Sequence, residues 1–566
     1  MKKILCVLFV FVNVHFATGQ LLNKSLNLTK QDTLRGALTP LRTCYDVLYY
    51  HLNVKVNPGN QTISGSNQIR FKAVANFSRL QIDLVKKMKI EKIVFNQRPL
   101  KFTRDLGAVY IDFPEELQEG SIHDMTVYYS GKPLVAARPP WEGGVIWSKD
   151  VHGNPWVAVT VQGTGAYQWW PNKEHQSDEP DSILISITTP DTLMDVSNGR
   201  LRNKTDLNNG WTRWDWFVSN PINNYNVTFN IAKYAHFNDI YISAVDGDTL
   251  TLDYYVLPDN LQKAKKQFQQ VKSMLACFEK RFGKYPFYKD GYKLVESPHL
   301  GMEHQSAVAY GNHYLNGYLG RASSDEGLRF DFIIVHESAH EWWGNSVTSR
   351  DIADMWIHES FAAYAEALYV ECQYGYQAYL NYQNGKKYGV RNDRPIIGPY
   401  GVNREGSSDM YNKGSLILHT LRHVIADDNL WFAILKGIQT TFRHQTVTAD
   451  DIFNYINKMT GTDYGTFFDQ YFKHTRIPKL QVVVSKQGGK VSARYRWQAD
   501  VKDFKMPVKV TTAKNNYDFI YPTSKWQSTN LDLTDPKDFK VAEDLFYIDV
   551  NLRLVYRQLK EQVAHF

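Results

Sequence analysis

The sequence predicts a multidomain α+β fold, with an N-terminal antiparallel β-domain, a mixed α/β domain in the middle and a small C-terminal β-sandwich. Three patterns in the 566 residues support this prediction. Apolar and polar residues alternate, as in half-buried strands, from residue 45 to about residue 234. Apolar residues then recur every three or four positions over much of 261–474, which indicates helices. Alternation returns after Pro478.

Turn and cap residues separate the predicted elements. In the β-domain, Leu52, Val54 and Val56 alternate with polar residues before an Asn-Pro-Gly-Asn turn. The mixed domain starts with a long helix that Gly283 ends, and short strands follow it. In the tail, a Gly-Gly turn joins two alternating runs, which predicts a hairpin. The resulting boundaries are 41–240 for the N-terminal β-domain, 241–477 for the mixed domain and 478–566 for the β-sandwich.

Residues 1–19 are typical of a secretory signal peptide. Two lysines precede a short apolar run, and the small residues at 17–19 follow it. The run is too short to span a bilayer, and an amphipathic anchor helix is the alternative interpretation. We therefore expect export to the periplasm or the extracellular medium, with a polar leader segment at 20–40.

The composition excludes several classes of protein. Hydrophobic residues make up 43% and charged residues 22%, which is ordinary globular usage. The formal charge of +7 is spread along the chain, so we expect no nucleic-acid partner. No later stretch holds 18 apolar residues in a row, so the mature chain should have no membrane span. Cys44, Cys277 and Cys372 have no metal-ligand spacing, and we interpret them as buried small hydrophobic residues, at least one of them free.

The stretch FDFIIVHESAHEWWG at 330–344 predicts a buried helix that carries a metal site. His336 and His340 are four positions apart, so both imidazoles lie on one helix face and can bind one Zn²⁺. Glu337 is turned away from direct ligation but can reach a water at the metal. Glu359 follows His340 after 18 residues, at the start of a second predicted helix, and is the candidate third ligand. A histidine pair with structural contacts alone is the alternative, but charges in so apolar a helix need a partner or a metal.

With this spacing, His336, Glu337, His340 and Glu359 resemble the gluzincin aminopeptidases, the family of aminopeptidase N and leukotriene hydrolase. The resemblance extends over most of 45–478. It implies a thermolysin-like catalytic domain at 241–477, one zinc ion per chain, and a peptide with a free N-terminus as substrate.

Three further motifs carry the resemblance. Gly301-Met302-Glu303 is similar to the family's Gly-x-Met-Glu-Asn motif, which implies that Glu303 binds the α-amine of the substrate. Gly301 and Met302 suggest a sheet edge that can pair with substrate backbone. Tyr411 begins a match to the family's Tyr-x-Lys-Gly motif, which implies that its phenol stabilises the oxyanion. Gln162 lies where the family has Cys-Gln-Ala, which implies a second contact to the amine.

The chain also departs from the family. His304, His358 and Ser360 stand where the family usually has Asn, Asn and Gly, and none of the three is a predicted ligand. We expect the β-rich tail in place of the family's large C-terminal helical domain. Asp354 is a candidate for orienting a ligand imidazole, and Glu366 either contacts a ligand or is only a helix charge.

The favoured function is a zinc-dependent aminopeptidase that hydrolyses the N-terminal peptide bond, with metal-activated water, Glu337 as general base and Tyr411 as oxyanion donor. One alternative is a thermolysin-type zinc endopeptidase, against which Glu303 argues. A second alternative is a catalytically silent peptide-binding protein, against which the retention of Glu337 and Tyr411 argues. Epoxide hydrolysis, known in one branch of the family, stays open.

Overall fold

The computed structural model describes residues 27–556, so the predicted signal peptide lies outside the described residues. The first part of the described chain consists of two short helices and the strands of the N-terminal β-domain. Its elements are α1 (Lys30–Gly36), α2 (Pro40–Thr43), β1 (Tyr45–Asn57), β2 (Thr62–Ala73), β3 (Phe77–Asp83), β4 (Met88–Phe95), β5 (Arg98–Pro99), β6 (Lys101–Asp105), β7 (Ala108–Leu117), β8 (Ile122–Gly131), β9 (Gly144–Lys149), β10 (Pro155–Thr160), β11 (Ser182–Pro190), β12 (Met194–Ser197), β13 (Arg200–Asp206), β14 (Trp211–Val218) and β15 (Phe229–Ala232).

These strands form three sheets around one apolar core. The largest has the order β13-β14-β11-β1-β2-β8-β4-β5, and the others have the orders β12-β15-β10-β9 and β3-β7-β6. The pairing is antiparallel, as the alternating pattern predicted, with one exception: β1 and β11 run parallel. The exception arises because β11 reaches β1 through a long crossover, and a hairpin is the connection that makes neighbours antiparallel.

The leader segment expected at 20–40 is folded from Lys30 onwards. Thr29 caps α1 in a reciprocal capping box with Asp32, a signal that the sequence did contain. Lys30 in α1 pairs with Asp105 of the β-domain at 2.6 Å, and the buried side chain of Arg42, within α2, pairs with Asp83 at 2.6 Å. The segment therefore packs on the β-domain, because its polar residues have partners there.

The central domain combines a mixed five-stranded sheet, a two-stranded parallel sheet of β21 and β22, and most of the helices. Its elements are β16 (Ala235–Ile242), β17 (Thr249–Val256), α3 (Leu261–Gln267), α4 (Gln270–Phe282), β18 (Tyr292–Glu296), β19 (Gly301–Met302), β20 (Val308–Tyr310), α5 (Phe332–Ala339), β21 (Val347–Ser349), α6 (Trp356–Tyr374), α7 (Tyr376–Lys386), α8 (Asn412–Ile425), α9 (Asp428–Thr441), β22 (Gln445–Val447), α10 (Ala449–Thr460) and α11 (Gly465–Phe468). The five-stranded sheet has the order β16-β17-β18-β20-β19, so it begins at Ala235, before the expected boundary at 241.

The two helices that carry the predicted metal site differ slightly from the expectation. The Asp331 carboxylate caps the start of α5 by accepting hydrogen bonds from Ile333 N and Ile334 N. The helix ends at Ala339, so His340 is its C-cap residue, and the expected helical stretch to Gly344 is instead a turn. Gly344 lies at φ 128°, a conformation that side chains disfavour, which lets the chain reverse toward α6.

A disulfide joins Cys277 in α4 to Cys372 in α6. The interpretation of these two residues as small hydrophobic side chains was therefore wrong, whereas Cys44 is buried and free as expected for at least one cysteine. The two Cα atoms are 6.1 Å apart, within the usual range for a bridge, although 95 residues separate them in the chain. Only the packing of α4 against α6 brings them together.

The C-terminal domain is a small sandwich that shares its core with the central domain. Its strands are β23 (Lys479–Gln487), β24 (Lys490–Gln498), β25 (Val508–Ala513), β26 (Asn516–Ile520), β27 (Gln527–Leu531) and β28 (Asp549–Tyr556). They form sheets of order β27-β24-β23-β28 and β25-β26, and the predicted β23–β24 hairpin is confirmed. The predicted multidomain α+β fold is thus confirmed. Within residues 27–556, no helix combines the length and apolarity that a membrane crossing needs.

Candidate active site

A cavity of about 610 Å³ lies over α5 and α6 and receives side chains from the N-terminal and central domains. The structure brings all nine predicted site residues to this one cavity. They are Gln162, Gly301, Met302, Glu303, His336, Glu337, His340, Glu359 and Tyr411. Sequence reasoning did not find several other lining residues, among them Trp141, Arg321, Phe332, Tyr382 and Lys386.

Three buried donor atoms form a compact triangle. His336 Nε2 and His340 Nε2 are 3.3 Å apart, and Glu359 Oε2 lies 3.5 Å from the first and 3.4 Å from the second. Tetrahedral zinc with ligands at about 2.0–2.1 Å requires neighbouring ligand atoms to be about 3.3–3.4 Å apart. Glu359 Oε2 is also buried and has no hydrogen-bond partner among the described residues. The donor types, their spacing and this unsatisfied oxygen all fit a zinc ion.

Hydrogen bonds behind the triangle hold both imidazoles. His340 Nδ1 lies 2.9 Å from the carbonyl oxygen of Trp343, and His336 Nδ1 lies 2.7 Å from Glu366 Oε1. A hydrogen bond at Nδ1 leaves Nε2 of each ring free to face the site. Glu366 is therefore a contact of a predicted ligand and not merely a helix charge.

Two residues of α7 hold Glu366 in turn. Lys386 Nζ lies 2.6 Å from Glu366 Oε2, and the Tyr382 hydroxyl donates to the same oxygen at 2.7 Å. Lys386, Tyr382 and Glu366 are all buried. No sequence motif marks Tyr382 or Lys386, because they act through Glu366 from a separate helix.

Asp354 does not orient a ligand imidazole, so that suggestion was wrong. Its carboxylate accepts hydrogen bonds from the Tyr400 hydroxyl and Ala449 N, at 2.9 Å and 3.0 Å. Asp354 precedes α6, and it fastens this end of the helix to the loop at Tyr400 and to the start of α10.

Glu337 lies beside the triangle, in contact with β19. A Cβ atom built on Gly301 would lie 2.6 Å from Glu337 Oε1, so only glycine leaves room for the carboxylate at this position. Burial raises the pKa of Glu337 to about 7, and nearby Glu303 acts in the same direction. A carboxylate with a pKa near neutrality can both accept and return a proton.

Glu303 and Gln162 form the wall next to the triangle. Gln162 Nε2 donates to Glu303 Oε1 and also lies 3.2 Å from Glu359 Oε1, so one amide connects the two carboxylates. Burial raises the pKa of Glu303, and the charge of nearby Glu359 acts in the same direction. Glu303 directly follows β19, which is the edge strand of its sheet, as the sequence suggested. A buried carboxylate at a sheet edge is suited to a cationic group on an extended chain.

Tyr411 completes the site from the turn that leads into α8. Its ring lies 6.0 Å from that of His336, and burial together with the Glu359 charge raises the pKa of the phenol well above its usual value. The phenol is therefore a hydrogen-bond donor at neutral pH.

Three residues depart from the family pattern, and none of them belongs to the metal triangle. Ser360 Oγ donates to the Met410 carbonyl oxygen at 2.7 Å, next to Tyr411, and it packs so closely on Gly414 that a Cβ there would lie 1.9 Å away. His358 Nε2 accepts from Ser349 N, and burial lowers the pKa of His358 to about 3, so the ring is neutral. His304 is buried outside the cavity lining.

Comparison with family models covers both larger domains. Residues 46–225 match the peptidase M1 N-terminal domain, and residues 266–471 match the peptidase family M1 domain.

Individual relatives match this chain at low sequence identity. Endoplasmic reticulum aminopeptidase 1 of Mus musculus is 21% identical over 62% of this chain and 38% of its own length. Leucyl aminopeptidase of Saccharolobus solfataricus is 22% identical over 80% of this chain and 57% of its own length. Aminopeptidase N of Lactobacillus helveticus is 26% identical over 36% of this chain and 26% of its own length. The chain thus spans less than two thirds of the length of each of these relatives.

Solved structures show the same fold. The M1 zinc metallopeptidase of Deinococcus radiodurans superimposes with a TM-score of 0.63 at 19% identity, over 76% of this chain and 94% of that one. A variant of that metallopeptidase bound to a Tyr-Ser-Ala substrate superimposes with a TM-score of 0.64 at 20% identity, over 76% of this chain and 95% of that one.

Proposed function

The chain belongs to peptidase family M1, and from that premise we propose that it is a zinc-dependent aminopeptidase, which hydrolyses the N-terminal bond of peptides with a free α-amine. One observation carries the proposal. The buried carboxylate of Glu303 and the amide of Gln162 lie directly beside the triangle of His336, His340 and Glu359. When Glu303 binds the ammonium group of the substrate, the first peptide bond lies at the metal triangle. Cleavage there removes one residue from the N-terminal end.

Zinc held by His336, His340 and Glu359 would supply a Lewis acid that activates water and polarises the scissile carbonyl. Glu337 accepts the proton of the attacking water on its carboxylate and returns it to the leaving amine. The Tyr411 hydroxyl donates a hydrogen bond to the oxygen that becomes negative in the transition state. The role of Glu337 needs a carboxylate with a pKa near neutrality, and the role of Tyr411 needs a protonated phenol. Burial raises the pKa of both side chains and so meets both requirements.

Glu303 and Gln162 position the substrate. The Glu303 carboxylate accepts hydrogen bonds from the ammonium group, and the Gln162 side chain keeps that carboxylate in place. The edge strand β19 offers unpaired backbone groups to an extended peptide. The tripeptide-bound Deinococcus structure supports the choice of peptides as substrates.

The two alternatives fit the site less well. A thermolysin-type endopeptidase needs room for chain on both sides of the metal, and Glu303 with Gln162 occupies one side. A catalytically silent binding protein would not require Glu337 and Tyr411 to lie beside the metal triangle.

The test is a panel of aminoacyl reporter substrates, each with a free and with an acetylated amine, before and after removal of metal by a chelator. We expect hydrolysis of the free-amine series alone, one zinc per chain by elemental analysis, and recovery of activity when zinc is restored. Activity that survives complete removal of metal would contradict the proposal. Equal cleavage of acetylated substrates would favour the endopeptidase.

We further propose that the protein is exported, to the periplasm or the extracellular medium. The signal-peptide pattern at 1–19 motivates this, and the Cys277–Cys372 disulfide supports it because such bonds persist in oxidising compartments. The test is the N-terminal sequence of the protein recovered from each cell fraction. We expect a mature chain that begins at Gln20 outside the cytoplasm, and an intact chain confined to the cytoplasm would contradict export.

A further inference from the structure

The turn that carries Gln162 comprises residues 161–165 of the N-terminal domain. A hydrogen bond from Gly165 N to the Val161 carbonyl oxygen closes it at 2.7 Å. From this turn the Gln162 amide donates to Glu303 and also reaches the carboxylate of the metal triangle. A movement of the turn would therefore displace the group that connects the two carboxylates.

The carbonyl oxygen of Gly163, within this turn, is held by donors from two other parts of the chain. One donor is the guanidinium of Arg35, in the last turn of α1, whose Nη2 lies 3.4 Å from the oxygen. The other is the side-chain amide of Asn403, in the loop between α7 and α8, at 3.1 Å. The leader segment and the central domain thus meet on the turn that carries Gln162.

The guanidinium of Arg35 has further partners in the N-terminal domain. It lies 3.7 Å from Glu174 Oε1 and 4.6 Å from the centroid of the Tyr167 ring. Glu174 Oε2 in turn accepts a hydrogen bond from Tyr167 N at 2.8 Å. Arg35 is only 9% exposed, so its charge depends on these partners more than on water, and they fix its position.

Gly165, the last residue of the turn, lies directly against the ion pair of Arg35 and Glu174. Its φ of 94° favours glycine, and a Cβ built on it would lie 2.3 Å from Glu174 Oε1 and 2.4 Å from Arg35 Nη2. The ion pair therefore contacts the turn at two points, Gly163 and Gly165, which restricts the movement of the residues between them.

The helix that carries Arg35 is itself fastened to the central domain. Asn403 N donates to the Asp32 carbonyl oxygen at 2.9 Å. Gly36 packs on the same loop so closely that a Cβ there would lie 2.1 Å from the carbonyl carbon of Val402. Because backbone meets backbone at this contact, α1 is a fixed support from which Arg35 reaches the turn.

We propose that Arg35 is a positioning residue for the amine-binding wall. It holds the turn at 161–165 and, through Gln162, keeps the Glu303 carboxylate oriented toward the ammonium group of the substrate. Arg35 does not line the cavity, so it acts only through these contacts. The inference rests on the proposed aminopeptidase function and adds to it that the leader segment takes part in selecting the substrate.

The experiment measures kcat/KM for a free-amine aminoacyl reporter, and the residual rate on its acetylated form, in wild type, Arg35→Met and Lys30→Met. Lys30 is the matched control, since it is a basic residue of the same helix that pairs with Asp105 and not with the turn. We expect Arg35→Met to lose about threefold to tenfold on the free amine and less than about twofold on the acetylated form, because only the free amine uses the oriented Glu303. Lys30→Met should match wild type on both substrates.

The ratio of the two substrates remains informative when a variant is less stable, since both substrates are hydrolysed by the same folded fraction. Glu174→Gln is the second variant, for the case that Arg35→Met does not fold. It keeps the shape of the side chain but removes the charge that holds Arg35, so it should lower the ratio by a smaller factor. An unchanged ratio in the folded Arg35 variant, or in Glu174→Gln if that alone folds, overturns the proposal.

A double-mutant cycle distinguishes positioning through Gln162 from a general structural role. In Gln162→Leu the amide is absent, so the further change Arg35→Met should lower kcat/KM on the free amine by less than about twofold. The same threefold to tenfold loss in both backgrounds would show that Arg35 acts independently of Gln162, and would overturn the proposal.

Calorimetry on zinc-loaded Glu337→Gln provides a measurement without turnover. The probes are a tripeptide with a free amine and its acetylated form. Weaker binding of the free-amine peptide alone, when Arg35→Met is added, supports the positioning role. Unchanged binding of that peptide, or an equal loss for both peptides, overturns the role while the aminopeptidase function stands. Failure of wild type to hydrolyse any free-amine peptide overturns the proposed function instead.

Discussion

The metal triangle and the substrate-binding wall of the same cavity are assembled in different ways. His336, His340 and Glu359 come from two consecutive helices, α5 and α6, within a short stretch of chain. The wall consists of Glu303 from the central domain and Gln162 from the N-terminal domain, which are 141 residues apart in the chain. The metal ligands of this site are therefore encoded locally, whereas the selection of the substrate depends on how distant segments pack.

The two regions also differ in how tightly they are built. The triangle lies on buried helices, and each imidazole has a second hydrogen bond behind it. The wall relies on contacts across the domain interface, such as that from Gln162 to Glu303. We therefore expect substitutions of residues that act on the reacting bond to change kcat. Substitutions in the wall should instead change the relative rates of different substrates.

The largest expected effect is that of Glu337→Gln. The variant keeps the size of the side chain and all zinc ligands but loses the base, so kcat should fall by about a hundredfold to ten-thousandfold while zinc content stays at one per chain. Steady-state kinetics and elemental analysis measure the two quantities. Glu326→Gln is the control, because Glu326 lies on the neighbouring loop outside the cavity. A kcat within a few-fold of wild type would show that another group accepts the proton.

Tyr411→Phe should cost about a hundredfold to a thousandfold in kcat, since it removes one donor to the developing oxyanion. Zinc content and the affinity for a product amino acid should hardly change. Tyr388→Phe serves for comparison, because Tyr388 also lines the cavity but is 88% exposed. A change in KM alone would assign Tyr411 to the substrate-binding wall and weaken the contrast between the two regions.

Glu303→Ala tests the wall itself. Loss of a charge-assisted contact to the ammonium should lower kcat/KM on free-amine substrates by about tenfold to a hundredfold. Acetylated substrates should change much less, so the ratio between the two series falls. Gln162→Leu should lower the same ratio by a smaller factor, since Glu303 stays but loses its Gln162 donor. An unchanged ratio in Glu303→Ala would mean that the amine is bound elsewhere.

The smallest expected effect on turnover is that of a substitution at Lys386, which contacts Glu366 behind the metal triangle. Lys386→Met removes the cation from Glu366, which orients His336, and should weaken zinc binding by about tenfold to a hundredfold with saturated kcat nearly unchanged. Competition with a chelator measures the zinc affinity. Lys387→Met is the matched control, because Lys387 contacts the Glu543 carbonyl oxygen and not Glu366. Equal zinc affinities in both variants would remove Lys386 from the metal site.

Several features could be predicted from sequence because their signals are short. The i,i+4 pair of His336 and His340 needs only one helix, and the edge strand at Gly301 and Met302 follows from a local motif. Other features could not be predicted. The Cys277–Cys372 bridge, the anchoring of Asp354 to α10 and the contact of Lys386 with Glu366 each join elements whose separation in the chain carries no pattern.

Hydrophobic periodicity and the spacing of a few polar residues predicted the domain order and the two metal-site helices, and the resemblance to the gluzincin aminopeptidases implied the class of chemistry. This was possible because helix and strand periods place residues on a defined face whatever surrounds them. The distances within the triangle, the pKa of Glu337 and the contact of Gln162 with Glu303 depended on three-dimensional packing. Desolvation and charge–charge interactions act through space, so they arise only when segments such as those of Gln162 and Glu303 are folded around one cavity.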